Sequence, residues 1–358
     1  MTAAVPGEFD LIARYFTRPA ASASVTASTA TSAAASAFAS VGATRPAVLG
    51  VGDDAALIAP RRGFELAIST DMLVEGTHFL PGTDAARLGH KTLAVNLSDL
   101  AAMGAQPLYA TLALSLPQVD EVWLAEFSRG FFALADAHGV ELIGGDTTRG
   151  PLNLCVTVFG EVPAGAAIRR AGARAGDDVW VSGTLGDAAL GLAHLQGRVV
   201  LPAAAAAHAV ARLEAPTPRV ALGLALRGVA TAMLDVSDGL AGDVAHLARA
   251  SQLAAQINAE ALPLSADSPL RAMPLDARLG YAAGGGDDYE LCFTAPPLLR
   301  AAVLAAGVAA GVPVTKIGAM LELTAGLGVA PGAVILIDNH GNPCAPTVSG
   351  YDHFGKTG

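Results

Sequence analysis

The chain has 358 residues, enough for two domains with a sizeable core, and its 52% apolar content excludes a disordered chain. A formal net charge of −10, with no run of Lys or Arg, argues against nucleic acid as a partner. Cys155, Cys292 and Cys344 lie far apart without a CxxC pair, so small buried hydrophobes are expected and not a disulfide framework.

The N-terminus carries Glu8 and Asp10 and no apolar signal core, and no apolar run reaches the roughly 18 residues of a membrane helix. A cytoplasmic protein without a membrane partner is expected. Phe9, Ile12 and Phe16 have helical spacing over 8–17. Residues 18–46 are almost entirely Ala, Ser and Thr and read as a low-complexity insert. Strands are expected at 47–51, 64–69, 107–116, 140–144 and 152–162, with helices at 84–103 and 120–138. A Pro/Gly-rich passage at 163–178 marks a boundary. Beyond it, strands near 178–182, 231–235, 254–259, 289–294, 314–319 and 333–337 alternate with helices near 186–196, 204–213, 218–227, 239–250 and 296–306. The pattern is that of two α/β domains, 1–162 and 163–358.

Acidic residues cluster beside these elements. Gly-Val-Gly-Asp-Asp supplies Asp53 and Asp54; Ser69, Thr70 and Asp71 are read as the end of a strand, and Asp99 falls within a helix. Gly-Gly-Asp-Thr-Thr-Arg follows a strand with Asp146 and Arg149; Asp235, Ser237 and Asp238 follow another, and Asp287, Asp288 and Glu290 follow three glycines. Each cluster alone reads equally well as an Asx turn or helix cap, as Asp238 would for a helix at 239–250. Their recurrence in a chain with only 15% charged residues points instead to Mg²⁺, which favours hard oxygen ligands and shares phosphate oxygens. Glycines at 144–145 and 284–286 would let backbone N–H groups approach phosphate, although each run taken alone reads better as a plain turn.

Three apparent motifs fail on context. Residues 350–357 spell GxxxxGK[ST], but only Gly358 follows, so no helix can receive a phosphate. Residues 50–55 match GxGxxA without a long helix behind them. The segment from Asp235 lacks the glycine and glutamate positions of an EF-hand loop. Among the histidines, His78 is singled out because it follows Asp71 closely.

Taken in order, the segments 50–55, 67–79, 91–105, 144–150, 235–240, 285–293 and 350–354 resemble the thiamine-monophosphate kinases, of the superfamily typified by aminoimidazole ribonucleotide synthetase. The resemblance implies two α/β domains of that type, with N-terminal-domain strands forming a homodimer interface. It also implies ATP as donor, thiamine monophosphate as acceptor and several Mg²⁺ ions. Carried over residue by residue, Asp54, Ser69, Thr70, Asp71, Asp99, Asp146, Asp235 and Asp238 match metal positions. Gly145, Asp146, Arg170 and Ser237 match ATP contacts, and His78, Asp287 and Tyr351 match substrate positions. Family members often carry Glu where this chain has Asp287, a carboxylate one methylene shorter. No acid/base residue is assigned: a phosphate monoester with a second pKa of about 6 is already largely dianionic, so the acceptor needs relief from repulsion more than deprotonation. A selenophosphate synthetase is disfavoured because no cysteine precedes Cys155; a binding protein on the same scaffold would have no need of so many metal ligands.

Overall fold

The computed structural model describes residues 8–17, 45–52, 54–323 and 328–344. Asp53 and Tyr351, the GxxxxGK[ST] match and most of the 18–46 insert lie outside them. The chain folds as two compact units that interleave in sequence: 1–61, 70–93 and 107–159 form one, and 62–69, 94–106 and 160–358 the other.

An α-helix, α1 (Glu8–Leu11), continues as a π-helix over Ile12–Phe16. No strand forms at 47–51; Leu49 and Leu57 make an isolated bridge, because Gly50, Gly52 and the turn after them leave too short an extended run for a ladder. Strand β1 (Phe64–Val74), helix α2 (Ala85–Ala102), β2 (Gln106–Leu116), α3 (Glu121–His138), β3 (Glu141–Arg149) and β4 (Asn153–Pro163) follow. The four strands make one sheet in the order β1-β4-β2-β3, with β2 and β3 parallel. The bounds of α3 follow from its ends. Asp120 accepts N–H bonds of 3.0 Å from both Val122 and Trp123, and Gly139 stops the helix at φ 65°. Its inward face carries Phe127 and Phe131, both fully buried and stacked in a row with Trp123. The N-terminal segment is tied to this helix where Arg14 pairs with Glu121 and the Tyr15 hydroxyl donates to the same carboxylate at 3.0 Å.

The second half contributes β5 (Asp178–Ser182), α4 (Asp187–Leu195), α5 (Ala203–Glu214), α6 (Val220–Ala225), β6 (Ala232–Asp235), α7 (Leu240–Ala250), β7 (Ala254–Asn258), α8 (Leu275–Ala282), β8 (Leu291–Ala295), α9 (Arg300–Ala310), β9 (Val314–Leu321), β10 (Val334–Ile337) and β11 (Pro343–Cys344). These strands form a mixed seven-stranded sheet, β11-β10-β7-β9-β5-β8-β6. β5 sits inside it, buried along its whole length, and Trp180 stacks on its register partner Phe293 of β8. Val181, Leu234, Leu247, Ile257 and Ile317 build the core beside it. Helix α9 begins later than its apolar pattern suggests, because Pro296 and Pro297 lead into a 3-10 turn first. Helix α8 has no counterpart among the expected elements: its apolar stripe, Leu275, Leu279 and Ala282, spans only two turns. Cys155, Cys292 and Cys344 are all free, and Cys292 is fully buried, which pushes its thiol up. Among the described residues no helix is long and apolar enough to cross a membrane.

Asp178 opens β5 with its side chain 3% exposed and is held by Arg300 at 2.5 Å and Lys316 at 2.9 Å. The Arg300 hydrogen bond, aided by Lys316, lowers its carboxyl pKa against the cost of burial. A depressed folded-state pKa contributes stability above the unfolded value near ~3.9, and that stability is lost as the pH falls through the folded value. Asp178→Asn is therefore expected to lower unfolding stability by about 1 kcal/mol at pH 7, a figure discounted for the exposure of both cations. Urea melts should show the gap closing below about pH 4.

Candidate active site

Helix α2 carries Ser98 and Asp99 side by side, and each reaches a different strand. The Ser98 hydroxyl donates to Asp235 Oδ2 at 2.7 Å, at the end of β6. Asp99 Oδ2 accepts from Ser69 Oγ of β1 at 2.5 Å. Asp235 is 6% exposed and Ser98 is fully buried. Burial pushes the Asp99 carboxyl up, opposed by the Ser69 hydrogen bond and by the positive charge of Arg170. Two carboxylates, each held by a serine hydroxyl, are thus fixed from one helix. Ser98, which holds Asp235 in the candidate site, is not singled out by any sequence motif; its place beside Asp99 in the 91–105 segment is the signal that points to it.

The chain beyond Asp235 turns sharply into α7. Asp238 does not cap this helix: the N-cap is Gly239, without a side-chain bond, and Asp238 is exposed. Asp243, one turn inside α7, reaches back instead, accepting from the Ser237 and Asp238 N–H groups at 3.1 and 3.3 Å. Burial and then the charge of Asp238 push its carboxyl up to about 7. The helix beginning at Leu240 also excludes an EF-hand loop here. Facing this turn, Asp287 donates its N–H to the Ser237 carbonyl at 2.8 Å. The neighbouring Asp288 points inward at 1% exposure, whereas Asp287 is half-buried.

Ser69, Thr70 and Asp71 occupy the middle of β1 and not its end, because the strand runs on to Val74. The two-residue period puts Ser69 and Asp71 on one face and Thr70 on the other. Thr70 Oγ1 lies 2.9 Å from Thr157 Oγ1 on that second face. Cys155 on β4 has its thiol pushed up by burial and by the Asp71 charge. Past β1, a turn brings the Val74 N–H to His78 Nδ1 at 2.9 Å, so a neutral His78 carries its proton on Nε2. Buried Lys91 donates to the His78 carbonyl at 3.3 Å.

Asp146 likewise lies inside a strand, since β3 continues through Arg149. Gly145, its neighbour, has φ 150°, and a Cβ there would fall 1.9 Å from the Leu112 carbonyl oxygen of β2. The glycine is needed for strand packing whatever else it touches. Gly145, Asp146 and Asp54 line a cavity of about 800 Å³, closed on one side by Ile12 and Phe16 of the N-terminal π-helix. No helix follows Asp54, which removes the dinucleotide fingerprint. Among the described residues, no three His, Cys, Asp or Glu side chains converge on one point. Asp99 and Asp235 still suit Mg²⁺, which binds through one or two carboxylates and completes its shell with water and phosphate oxygens.

Two family models match, AIR synthase related protein N-terminal domain over 52–162 and C-terminal domain over 174–325. The thiamine-monophosphate kinase of Salmonella typhimurium is 46% identical over 349 residues, 97% of this chain and 98% of that protein. The chain belongs to the thiamine-monophosphate kinase family. Among solved structures, the thiamine-monophosphate kinase of Stenotrophomonas maltophilia K279a is 48% identical with a TM-score of 0.74, covering 81% of this chain and 90% of that one. AaThiL complexed with AMPPCP and TMP is 30% identical with a TM-score of 0.69, covering 83% and 89%. The two-domain fold expected for this kinase family is therefore the one observed.

The raised Asp99 carboxyl makes a testable statement about this kinase without metal. A group whose folded-state pKa is raised binds its proton more tightly when folded, so stability declines as the pH rises above the unfolded value near ~3.9. In EDTA, Asp99→Asn should match or exceed the parent chain in stability at pH 8, by up to about 1 kcal/mol. Urea midpoints at pH 8 and pH 5 would read this, with the difference shrinking at the lower pH.

Proposed function

We propose that this chain phosphorylates thiamine monophosphate with ATP, in a Mg²⁺-dependent, direct in-line transfer that yields thiamine diphosphate. The observation that carries the reading is the pair of serine-held carboxylates, Asp99 and Asp235, in a chain 46% identical over nearly its whole length to a thiamine-monophosphate kinase. AaThiL complexed with AMPPCP and TMP supports the choice of donor and acceptor.

In this reading Asp99, Asp235, Ser69 and the exposed Asp238 hold metal in one unit; Asp54, Asp71 and Asp146 do so in the other. Thr70 directs its side chain to the opposite face of β1 from Ser69 and Asp71, so any role it shares with them falls to its backbone. Bound Mg²⁺ supplies positive charge that screens the phosphate oxygens of donor and acceptor from each other. Arg170, whose charge already acts on Asp99, adds a fixed cation for the triphosphate. Gly145 and Ser237 offer backbone and hydroxyl donors to it. The family resemblance assigns His78, Asp287 and Tyr351 to the acceptor, Tyr351 lying outside the described residues. Positioning and charge screening supply the rate, because the dianionic acceptor needs no strong base.

As a division of the sequence, 1–162 and 163–358 is supported by family models that end at 162 and resume at 174, while the compact units exchange 62–69 and 94–106 across it. A homodimer through the first sheet is supported by edge strand β1, whose outer face exposes Leu66, Ile68 and Met72 at 39, 57 and 51%.

Incubation with ATP and thiamine monophosphate should give thiamine diphosphate and one ADP per product, only with Mg²⁺. Asp71→Asn should lower kcat at least ~100-fold with an unchanged circular dichroism spectrum; near-parental turnover at saturating Mg²⁺ would remove Asp71 from the metal set. In light scattering, the parent chain should elute as a dimer and Ile68→Asp as a monomer. A monomeric parent would refute the interface.

A further inference from the structure

Among the described residues only three non-glycine residues have positive φ, and two of them, Asp287 at 67° and Tyr289 at 50°, flank Asp288. Left-handed backbone at such residues persists only where the surroundings over-determine it. Here the surroundings grip from both sides. On one side, both carboxylate oxygens of Asp288 accept the Gly186 N–H, at 2.9 and 3.0 Å. Gly186 is the N-cap of α4, so Asp288 caps that helix from about a hundred residues away. Arg212 of α5 donates to the Asp288 carbonyl at 3.2 Å and to buried Glu290 at 2.9 Å, and Arg219 fastens the same Glu290 at 2.7 and 2.5 Å. On the other side, Asp287 and Tyr289 donate their N–H groups to the Ser237 and Val236 carbonyls, each at 2.8 Å. The two backbones are pressed so close that a Cβ on Gly286 would stand 2.5 Å from the Ser237 oxygen.

We infer that Asp288 is a positioning residue for phosphoryl transfer: by capping α4 it holds Asp287 in its left-handed conformation, with its N–H on the Ser237 carbonyl, and so sets where the Asp287 carboxylate stands. This rests on the proposed function, in which Asp287 contacts the acceptor and Ser237 the nucleotide. Without the cap, Asp287 and Tyr289 can relax to ordinary negative φ, and the Asp287 carboxylate swings away from its place. Displacements of about 1 Å are enough to cost large factors in an oriented transfer. Burial pushes the Asp288 carboxyl up, opposed by the Gly186 N–H and the charge of Arg212.

The test is steady-state kinetics of the full chain with ATP, Mg²⁺ and thiamine monophosphate. Asp288→Ala should raise the KM for thiamine monophosphate about tenfold and lower kcat, with ATP affinity measured alone within about twofold of the parent. Asp288→Asn keeps one acceptor oxygen for Gly186 and should fall between, raising that KM about threefold. Asp287→Ala is run beside them. If Asp287→Ala leaves the acceptor KM unchanged, the reading of Asp287 fails and the inference falls with it. If Asp287→Ala raises it but folded Asp288→Ala does not, the inference alone is overturned. Equal losses for ATP and acceptor would also overturn it, since they signal general loosening. Should Asp288→Ala not fold, Asp288→Asn decides: an unchanged acceptor KM refutes the positioning role.

Discussion

A carboxylate taken out of water must be given a donor, and α2 answers that demand twice in consecutive residues. Ser98 supplies a hydroxyl to Asp235, while Asp99 takes the hydroxyl of Ser69. Because residues one apart on a helix point about 100° away from each other, the pair splays toward two different strands. The rotation of a single helix therefore sets where Asp99 stands and where Ser98 meets Asp235. A hydroxyl holds a carboxylate in place without cancelling its charge. The positive charge of Arg170 acts on Asp99 from beyond this hydrogen bond.

Elsewhere buried acids are handled in the opposite way. Glu290 is saturated by Arg212, Arg219 and Ser182. Asp178 is saturated by Arg300 and Lys316. Acids locked to cations brace the fold, while Asp99 and Asp243, met by a hydroxyl and by backbone N–H groups, stand beside the proposed chemistry. The adjacent pair Asp287 and Asp288 shows both kinds of use in consecutive residues.

Much of this is legible in the chain itself. The span of α3 can be read from Asp120 and Gly139, and β5 from the β-favouring Val-Trp-Val that follows the Pro/Gly-rich passage. The family is legible because its motifs are local and keep their order. What is not legible depends on partners distant in sequence. Ser-Thr-Asp and Gly-Gly-Asp look like strand ends because glycine and aspartate usually punctuate. Pairing with neighbouring strands carries both through as mid-strand residues. The exchange of the capping role from Asp238 to Asp243 depends on a reach back to Ser237 that no adjacent spacing announces. Which of Asp287 and Asp288 faces inward is decided by the Gly186 N–H, about a hundred positions away. The two-turn helix α8 is simply too short for periodicity to register.

The alternation along β1 has an evolutionary corollary. Ser69 and Asp71 face one way, and Leu66, Ile68 and Met72 the other. Inserting one residue just before Ser69 would turn Ser69 and Asp71 toward the face that Leu66 and Ile68 occupy and send Met72 to the opposite one. Single-residue insertions and deletions within this strand should thus be purged far more strictly than substitutions. Length variation in descendants of this sequence should accumulate outside it.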